Sequence, residues 1–513
     1  MRKESKRSTV VPEHTVSRGD MLDRRTFIKR TTKGAAAVAA STAVGGMPWV
    51  TSAMAAVSQD TPDARAIAGA KALLGRRQVR QLTILEPSGS LGDIVPVAKE
   101  WTRLTGVEIK YIEVPLLEIA QRVLQEAVAR TGAWDLALPA SFALPDIAES
   151  GVVVDLTDLA QKYRPDDGVA GCQMLYPIAN YYKGRLYGFG TDGDTYMMFY
   201  RKDLLEDAQE QTRFQQEHGY KLAIPETWEE LDAQVKYFHR PDKNLYGGAL
   251  FRSRGFIAWE WNIRFHGKGR WLFDDNMKPQ INSEAGVKAA EEMLAITKYL
   301  DPGARSNGLF ENFEAYGSGR SYCNIGWGGS QKYFWDPKKS KVYGKLAWGM
   351  APGGKVNGKK FYAPYFNWGW NYVVNRYSRA PELAYLFAQF AYSPKMSTQA
   401  VRFRGGYFDP FRTCHYTDPV IREIYGDGFL AVHRQSMTHN FPDLYLKGHG
   451  EYWDVLDANL QSADVGKKTP KQALDETAAA WEKITNRVGR EKQIAQWRFV
   501  KAHYPPELAK ILA

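Results

Sequence analysis

Cysteine is nearly absent from this chain: three in 513 residues, Cys172, Cys323 and Cys414. They stand far apart, no pair has metal-ligand spacing and at most one disulfide can form, which excludes a disulfide-built scaffold and a zinc module. Free thiols, buried or half-exposed, are the expectation for them. Also missing is any apolar run that could cross a bilayer, which takes roughly 20 residues. No G-x-G-x-x-G turn follows the first predicted strand and no G-x-S-x-G elbow occurs, so dinucleotide chemistry and serine hydrolysis lack their signatures. The nine histidines are scattered, with His433 and His439 expected in loops or at the surface. No cofactor, no metal and no catalytic residues are expected, and no internal repeat is evident.

The strongest local signal lies at the N-terminus. A basic stretch precedes the short Ala/Gly/Ser/Thr-rich segment Ala35 to Gly46, followed by the small-residue cut site Ala53-Met54-Ala55. This is the layout of a secretory signal. Directly before the apolar segment runs Asp23-Arg24-Arg25-Thr26-Phe27-Ile28-Lys29, with Phe27 and Lys29 at the offsets of the twin-arginine consensus. Residues 1–55 are therefore expected to be a twin-arginine signal peptide, removed near Ala55 after export by the twin-arginine machinery. No cysteine stands near the cut, so a soluble periplasmic protein is expected. The leader holds ten Lys or Arg and four Asp or Glu, so the remaining chain carries a net +5 instead of +11. That mild excess, without a dense basic run, argues against a nucleic-acid partner. Aromatics reach 13%, with 15 Trp and 28 Tyr; such rings join a flat apolar face to a polar handle.

Beyond a lead-in at 56–77, predicted strands at 81–86, 107–114 and 134–138 alternate with helices through about Leu104 and over 116–130. The second helix places Leu117, Ala120, Leu124 and Val128 along one face. Such alternation implies βαβ units and a mainly parallel sheet, whose ligands sit outside the carboxyl ends of the strands. Glu86, Ser88 and Ser141 become candidates on that ground. Farther on, Thr227 with Glu230 forms a capping box, as does Thr469 with Gln472, each opening a helix.

Five stretches then carry a family resemblance. Met198-Phe199-Tyr200-Arg201-Lys202-Asp203-Leu204 looks like a crossing strand and helix start, and Pro225 to Leu231 is similar to a "P-x-T-W-x-E-L" segment. Tyr316 to Trp327 resembles a return strand, and Phe366 to Val374, followed by Pro410-Phe411-Arg412 and Asp418-Pro419, looks like "G-G-W-G-L-A-I" and "P-x-R…D-P". Thr469 to Trp481 is close to "T-P-x-x-A-L-x-x-A-A-x-x-W". Their collinear order over roughly 80–490 resembles the family 1 extracellular solute-binding proteins of ABC importers, the group that includes maltose-binding protein. Inserts near 207–223, 262–280 and 425–465 lengthen this chain beyond typical members.

The resemblance implies an α/β, two-lobed type II periplasmic-binding-protein fold, each lobe a mainly parallel sheet flanked by helices, with a hinge between them. Lobe 1 is expected at 78–193 plus 342–395, lobe 2 at 194–341, and C-terminal helices from 396 across both. It implies a receptor that closes on a small solute, a sugar or polyol, and hands it to an ABC permease in the inner membrane. A sugar site needs aromatic plates with polar side chains at their edges. The family match places Trp327 near the cleft, where Gly326, Gly328 and Gly329 favour exposure at a turn. Asp192 and Asp194 fall at the lobe crossing, and Arg252 and Trp259 after the strand 247–251. Tyr407 follows Gly405-Gly406. Trp368 and Trp370 share one strand face and Asn367 and Gly369 the other; either set can face the solute. Two rival expectations remain: an anionic solute paired by Arg252, Arg254 and Arg404, and an exported carbohydrate-active enzyme using a carboxylate pair.

Overall fold

A computed structural model describes residues 60–75, 79–89, 91–165 and 169–513. The twin-arginine leader and its cut after Ala55 lie outside the described residues. The strands of the two principal sheets are, in chain order, β1 (Gln81–Pro87), β2 (Glu108–Val114), β3 (Leu136–Ala137), β4 (Phe189–Gly190), β5 (Met197–Arg201), β6 (Tyr246–Ala249), β7 (Ser321–Gly326), β8 (Leu346–Met350) and β9 (Asn371–Val374).

The first sheet runs β2-β1-β3-β9-β4. β1 is parallel to β2 and β3, as the βαβ pattern requires, whereas β9 returns antiparallel to β3 and β4. The second sheet runs β8-β5-β7-β6 and departs from the mainly parallel expectation. Its central strand β5 enters from the other lobe and lies antiparallel to both neighbours; only β6 and β7 are parallel. Each sheet is the core of one lobe, giving the two-lobed α/β architecture. β8 pairs with β5 from Leu346↔Arg201 to Met350↔Met197. The expected assignment of 342–395 to lobe 1 is therefore corrected: its first strand completes the second sheet, and the chain returns to the first only at β9.

Helices form where the sequence caps them. Thr227 Oγ1 accepts from Glu230 N at 3.3 Å and Glu230 returns a carboxylate oxygen to Thr227 N, opening Trp228–Tyr237, whose Trp228, Leu231 and Val235 are buried. Thr469 and Gln472 do the same for Pro470–Val488, which buries Leu474, Trp481 and Ile484. The lead-in is itself a helix, Pro62–Leu74, capped by Thr61 and packed on Pro381–Tyr392. The helix Ile119–Ala129 buries Ile119 and Val123, while Leu117 and Val128 are exposed. The expected stripe therefore holds only in its middle: Ala120 and Leu124 are half-buried against the core, Leu117 precedes the helix and Val128 lies in its last, exposed turn. C-terminal helices meet both sheets' surroundings: Pro394–Arg402 packs on Leu91–Thr105, Asp427–His439 on β8, and His449–Asp464 on Ile257–Gly267.

Cys172 and Cys414, 242 residues apart, form a disulfide, and only Cys323 is a free, buried thiol. The expectation of free thiols is corrected for two of the three. Among the described residues no helix is long and apolar enough to cross a membrane.

Candidate functional site

Two segments cross between the sheets side by side: one leads from β4 to β5, the other precedes β9. Thr191 N donates to Trp370 O and Tyr196 N to Tyr365 O, each at 2.8 Å, with a bridge between Thr195 and Phe366. The backbone pairing fixes the side chains that these segments present. Gly369 adopts φ +62°, which lets the chain turn between Trp368 and Trp370 and aims its N–H at Asp194 Oδ2, 3.1 Å away. Ser141 Oγ donates to Trp368 O from the first lobe, bracing the same turn.

At this junction lies a cavity of about 50 Å³ lined by Asp192, Asp194, Phe256, Phe310, Phe313, Trp327, Trp368, Trp370 and Tyr407. Both Trp368 and Trp370 border it, so the tryptophan face of that strand is the one turned inward. Trp368 packs edge-on against Trp259 with centroids 5.2 Å apart, and Tyr196 lies 4.9 Å from Trp327. Trp327 Nε1 donates to Asn367 Oδ1 at 2.8 Å. Among the described residues, Trp368 Nε1 and Asn367 Nδ2 have no hydrogen-bond partner. Trp327 itself is buried, not exposed at a turn. Gly328 serves a different purpose: a Cβ there would stand 2.4 Å from the Asp409 carboxyl carbon.

Asp192, Asp194 and Asp409 bring carboxylate oxygens within 4.8 Å of one another, all three buried. Asp192 Oδ1 accepts from Gly193 N and Asp409 N at 2.7 and 2.6 Å, and Asp409 Oδ1 accepts from Tyr425 OH at 3.0 Å. Burial, reinforced by the neighbouring carboxylates, holds Asp192 and Asp194 well above the usual range. Burial likewise pushes Asp409 up to about 7 although Lys332 opposes it. Asp93 stands behind them, Oδ1 accepting from Tyr407 N and Phe408 N, and burial lifts it to about 6. Glu86 borders an adjoining small cavity with Asp93 and Trp370. Both its oxygens lack a partner among the described residues, and burial plus Asp93 and Glu113 raises it to about 8.

Other expected site residues are elsewhere engaged. Arg252 is fully buried, donating to Glu260, Thr297 and the carbonyls of Phe251 and Met293. Glu260 also holds Arg264, which pairs with Asp232. Arg252 is thus part of a lobe-2 ion network. Arg254 is exposed, and Arg404 is exposed and pairs with Glu423, so none of the three arginines lines the cavity. Ser88 sits on the turn after β1, its N–H on Val114 O. Trp259 supports the cavity wall without bordering it. His433, expected at the surface, is buried with Nε2 against Gly193 O at 3.0 Å, behind the aspartate pair. Asp93, Lys332 and Asp409 were not anticipated, although Asp409 directly precedes the Pro410-Phe411-Arg412 motif. A larger open groove of about 580 Å³ lies apart from this junction, lined by Lys268, Arg270, Trp271, Lys288 and neighbours.

Residues 88–397 match the family model described as bacterial extracellular solute-binding protein. A mannitol-binding protein of Pseudomonas aeruginosa is 24% identical over 294 residues, 56% of this chain and 62% of that protein. The chain thus aligns with about three fifths of that relative's length. A probable amino-acid ABC transporter periplasmic-binding protein of Sinorhizobium fredii is 23% identical over 406 residues, 77% of this chain and 86% of its own. In fold, the chain is similar to an ABC transporter solute-binding protein of Agrobacterium radiobacter solved with ribitol. The TM-score is 0.69 at 23% identity, covering 79% of this chain and 98% of that one.

Proposed function

The chain belongs to the bacterial extracellular solute-binding protein family, and on that premise we propose that it is the receptor of an ABC importer for a small sugar or polyol. The observation that carries this reading is the cavity at the two crossing segments, lined by the rings of Trp327, Trp368 and Trp370 together with Asp192 and Asp194. Ring faces suit the C–H surface of a carbon chain or pyranose, and carboxylates accept from adjacent hydroxyls. The relatives noted above include a mannitol-binding protein and a protein solved with ribitol. An anionic solute is disfavoured by four buried carboxylates and by arginines engaged elsewhere.

A water needs about 10–15 Å³ of such space, so a cavity of about 50 Å³ takes only a few. A six-carbon polyol therefore requires the lobes to part and reclose around it. Contacts from both lobes exist only in the closed form, so the solute favours closure by its differential affinity, and the closed shape is what a permease reads. The signal peptide, export by the twin-arginine machinery and a soluble periplasmic location belong to the same reading.

The test is a thermal-shift screen of the chain from residue 56 with monosaccharides, disaccharides, linear polyols and anionic sugars. A solute at 100 times its Kd adds about 2.7 kcal/mol. A neutral polyol or sugar is expected to raise the melting temperature; a shift with anionic sugars alone would overturn the proposal.

A further inference from the structure

More carboxyl groups meet at this cavity than a neutral solute can use: Asp192 and Asp194 line it, and Asp409 adjoins them. Asp192, Asp194 and Asp409 are 3%, 8% and 0% exposed and converge within 4.8 Å, and Asp93 is buried behind them. The cation nearest in effect is Lys332, whose ammonium donates to the carbonyls of Phe403 and Phe408 at 3.1 and 3.0 Å. Asp409 Oδ2, fully buried, receives no well-formed hydrogen bond among the described residues, although the Gly329 amide and the Asp194 carboxyl lie against the Asp409 carboxyl. Converging like charges in a dry site repel unless they are protonated or met by a cation; the upward displacement of all four carboxyls reports the same imbalance.

Resting on the receptor reading, we infer that the solute carries a protonated amino group beside its hydroxyls, seated on Asp192, Asp194 and Asp409 with its carbon chain against the tryptophans. An ammonium supplies three donors and one positive charge to three acceptors, leaving Asp409 Oδ2 paired. The walls favour this over a metal ion. Calcium takes six to eight oxygen ligands, but beyond the carboxylates the cavity offers the rings of Trp327, Trp368, Trp370 and Phe256, which attract an organic cation through their faces.

The experiment is isothermal titration of the chain from residue 56 at pH 7.5 with matched pairs: sorbitol against 1-amino-1-deoxysorbitol, and mannose against mannosamine. Calcium chloride alone forms a separate arm. The amino member of a pair is expected to bind about tenfold tighter or better, and Asp194→Asn and Asp409→Asn are each expected to bring the ratio toward one. Because the decisive ratio is measured on the unaltered chain, a variant that fails to fold does not remove the test. Equal or tighter binding of the neutral partner would overturn the amine and leave the polyol receptor standing. Binding of no neutral or amino solute would sink both readings. Calcium binding on its own, with solute affinity depending on it, would replace the ammonium by a metal ion.

Discussion

Trp327, directly after strand β7 of the second sheet, donates its indole N–H to Asn367 Oδ1 on the segment that returns to the first sheet, at 2.8 Å. The bond ties a lobe-2 wall of the cavity to a crossing segment, and Asn367 is fully buried. Its amide nitrogen has no partner among the described residues, so losing the indole would leave neither end of the amide satisfied.

Trp327→Phe keeps most of the packing against Tyr196 and Trp259 and removes only the donor. A cost of about 1–3 kcal/mol follows from the orphaned buried acceptor, together with weaker solute binding. Trp327→Ala should cost about 3–5 kcal/mol, because it also opens a cavity. Urea unfolding of both variants checks the ordering; equal stability of Trp327→Phe and the parent would show that the bond contributes nothing.

Arg252→Met tests the ion network in the second lobe. Arg252 and Glu260 are both buried, and removing the guanidinium strands Glu260 with Arg264 alone. Breaking such a pair costs about 3–5 kcal/mol. Solute affinity of the fraction that remains folded should stay within about twofold, since Arg252 does not border the cavity. A stable variant that had lost its solute would instead return Arg252 to the binding site.

The contrast between Trp327 and Arg252 shows what the sequence could convey. The order of motifs and the capping boxes were readable because their causes are local: a Thr three residues before a Glu or Gln, an apolar stripe at helical spacing. Asp192, Asp194 and Trp368 lie on the two crossing segments and Trp327 directly after β7, stretches that the family pattern picks out, and all four border the cavity. Arg252 was misread because its partner Glu260 and the carbonyl of Met293 reach it only through the folding of lobe 2. Asp409 was missed for the same reason: it meets Asp192 and Asp194 across more than 200 residues. Only a compensating absence, the glycine at 328 that makes room for it, could have hinted at the contact.

The disulfide is a contact of that long-range kind. Cys172–Cys414 closes a loop of 242 residues, and loops beyond about 100 residues are worth roughly 4–5 kcal/mol in the chain-entropy account. Cys172→Ser with Cys414→Ser is expected to lower stability by about 2–5 kcal/mol, and reductant should then leave the variant's melting temperature unchanged while lowering the parent's. Cys323, fully buried with its thiol on Gly247 O, should resist thiol reagents until the protein unfolds. Two or three reactive thiols in the native, unreduced protein would contradict the pairing.

The carboxylates give the solute-free protein an unusual pH dependence. Glu86, Asp93 and Asp409 are lifted to about 8, 6 and 7, and Asp192 and Asp194 well above their ordinary values. An acid raised by folding binds more protons folded than unfolded, so its stabilising effect is complete below its unfolded value and fades as pH climbs through the folded one. Between pH 5 and 8, stability should therefore fall as pH rises, by on the order of a few kcal/mol. The other groups facing these carboxyls do not reverse the trend: Lys332 is held below its ordinary value by burial. His433, pushed down to about 3 by burial, opposes the fall below its ordinary value because unfolding lets it take up a proton, but one histidine is outweighed by the five raised carboxyls. Tyr407 and Tyr425 are raised away from the window. Glu113 adds negative charge beside Glu86. Carboxylates held low by arginine, such as Glu210 at about 2, lose their contribution only at more acid pH. A bound solute that donates to Asp192, Asp194 and Asp409 favours their ionised forms, so its affinity should rise over the same interval and flatten the melting curve against pH. Melting temperatures at pH 5, 6.5 and 8, with and without solute, decide it; a solute-free protein most stable at pH 8 would mean that these carboxyls are ionised and already compensated.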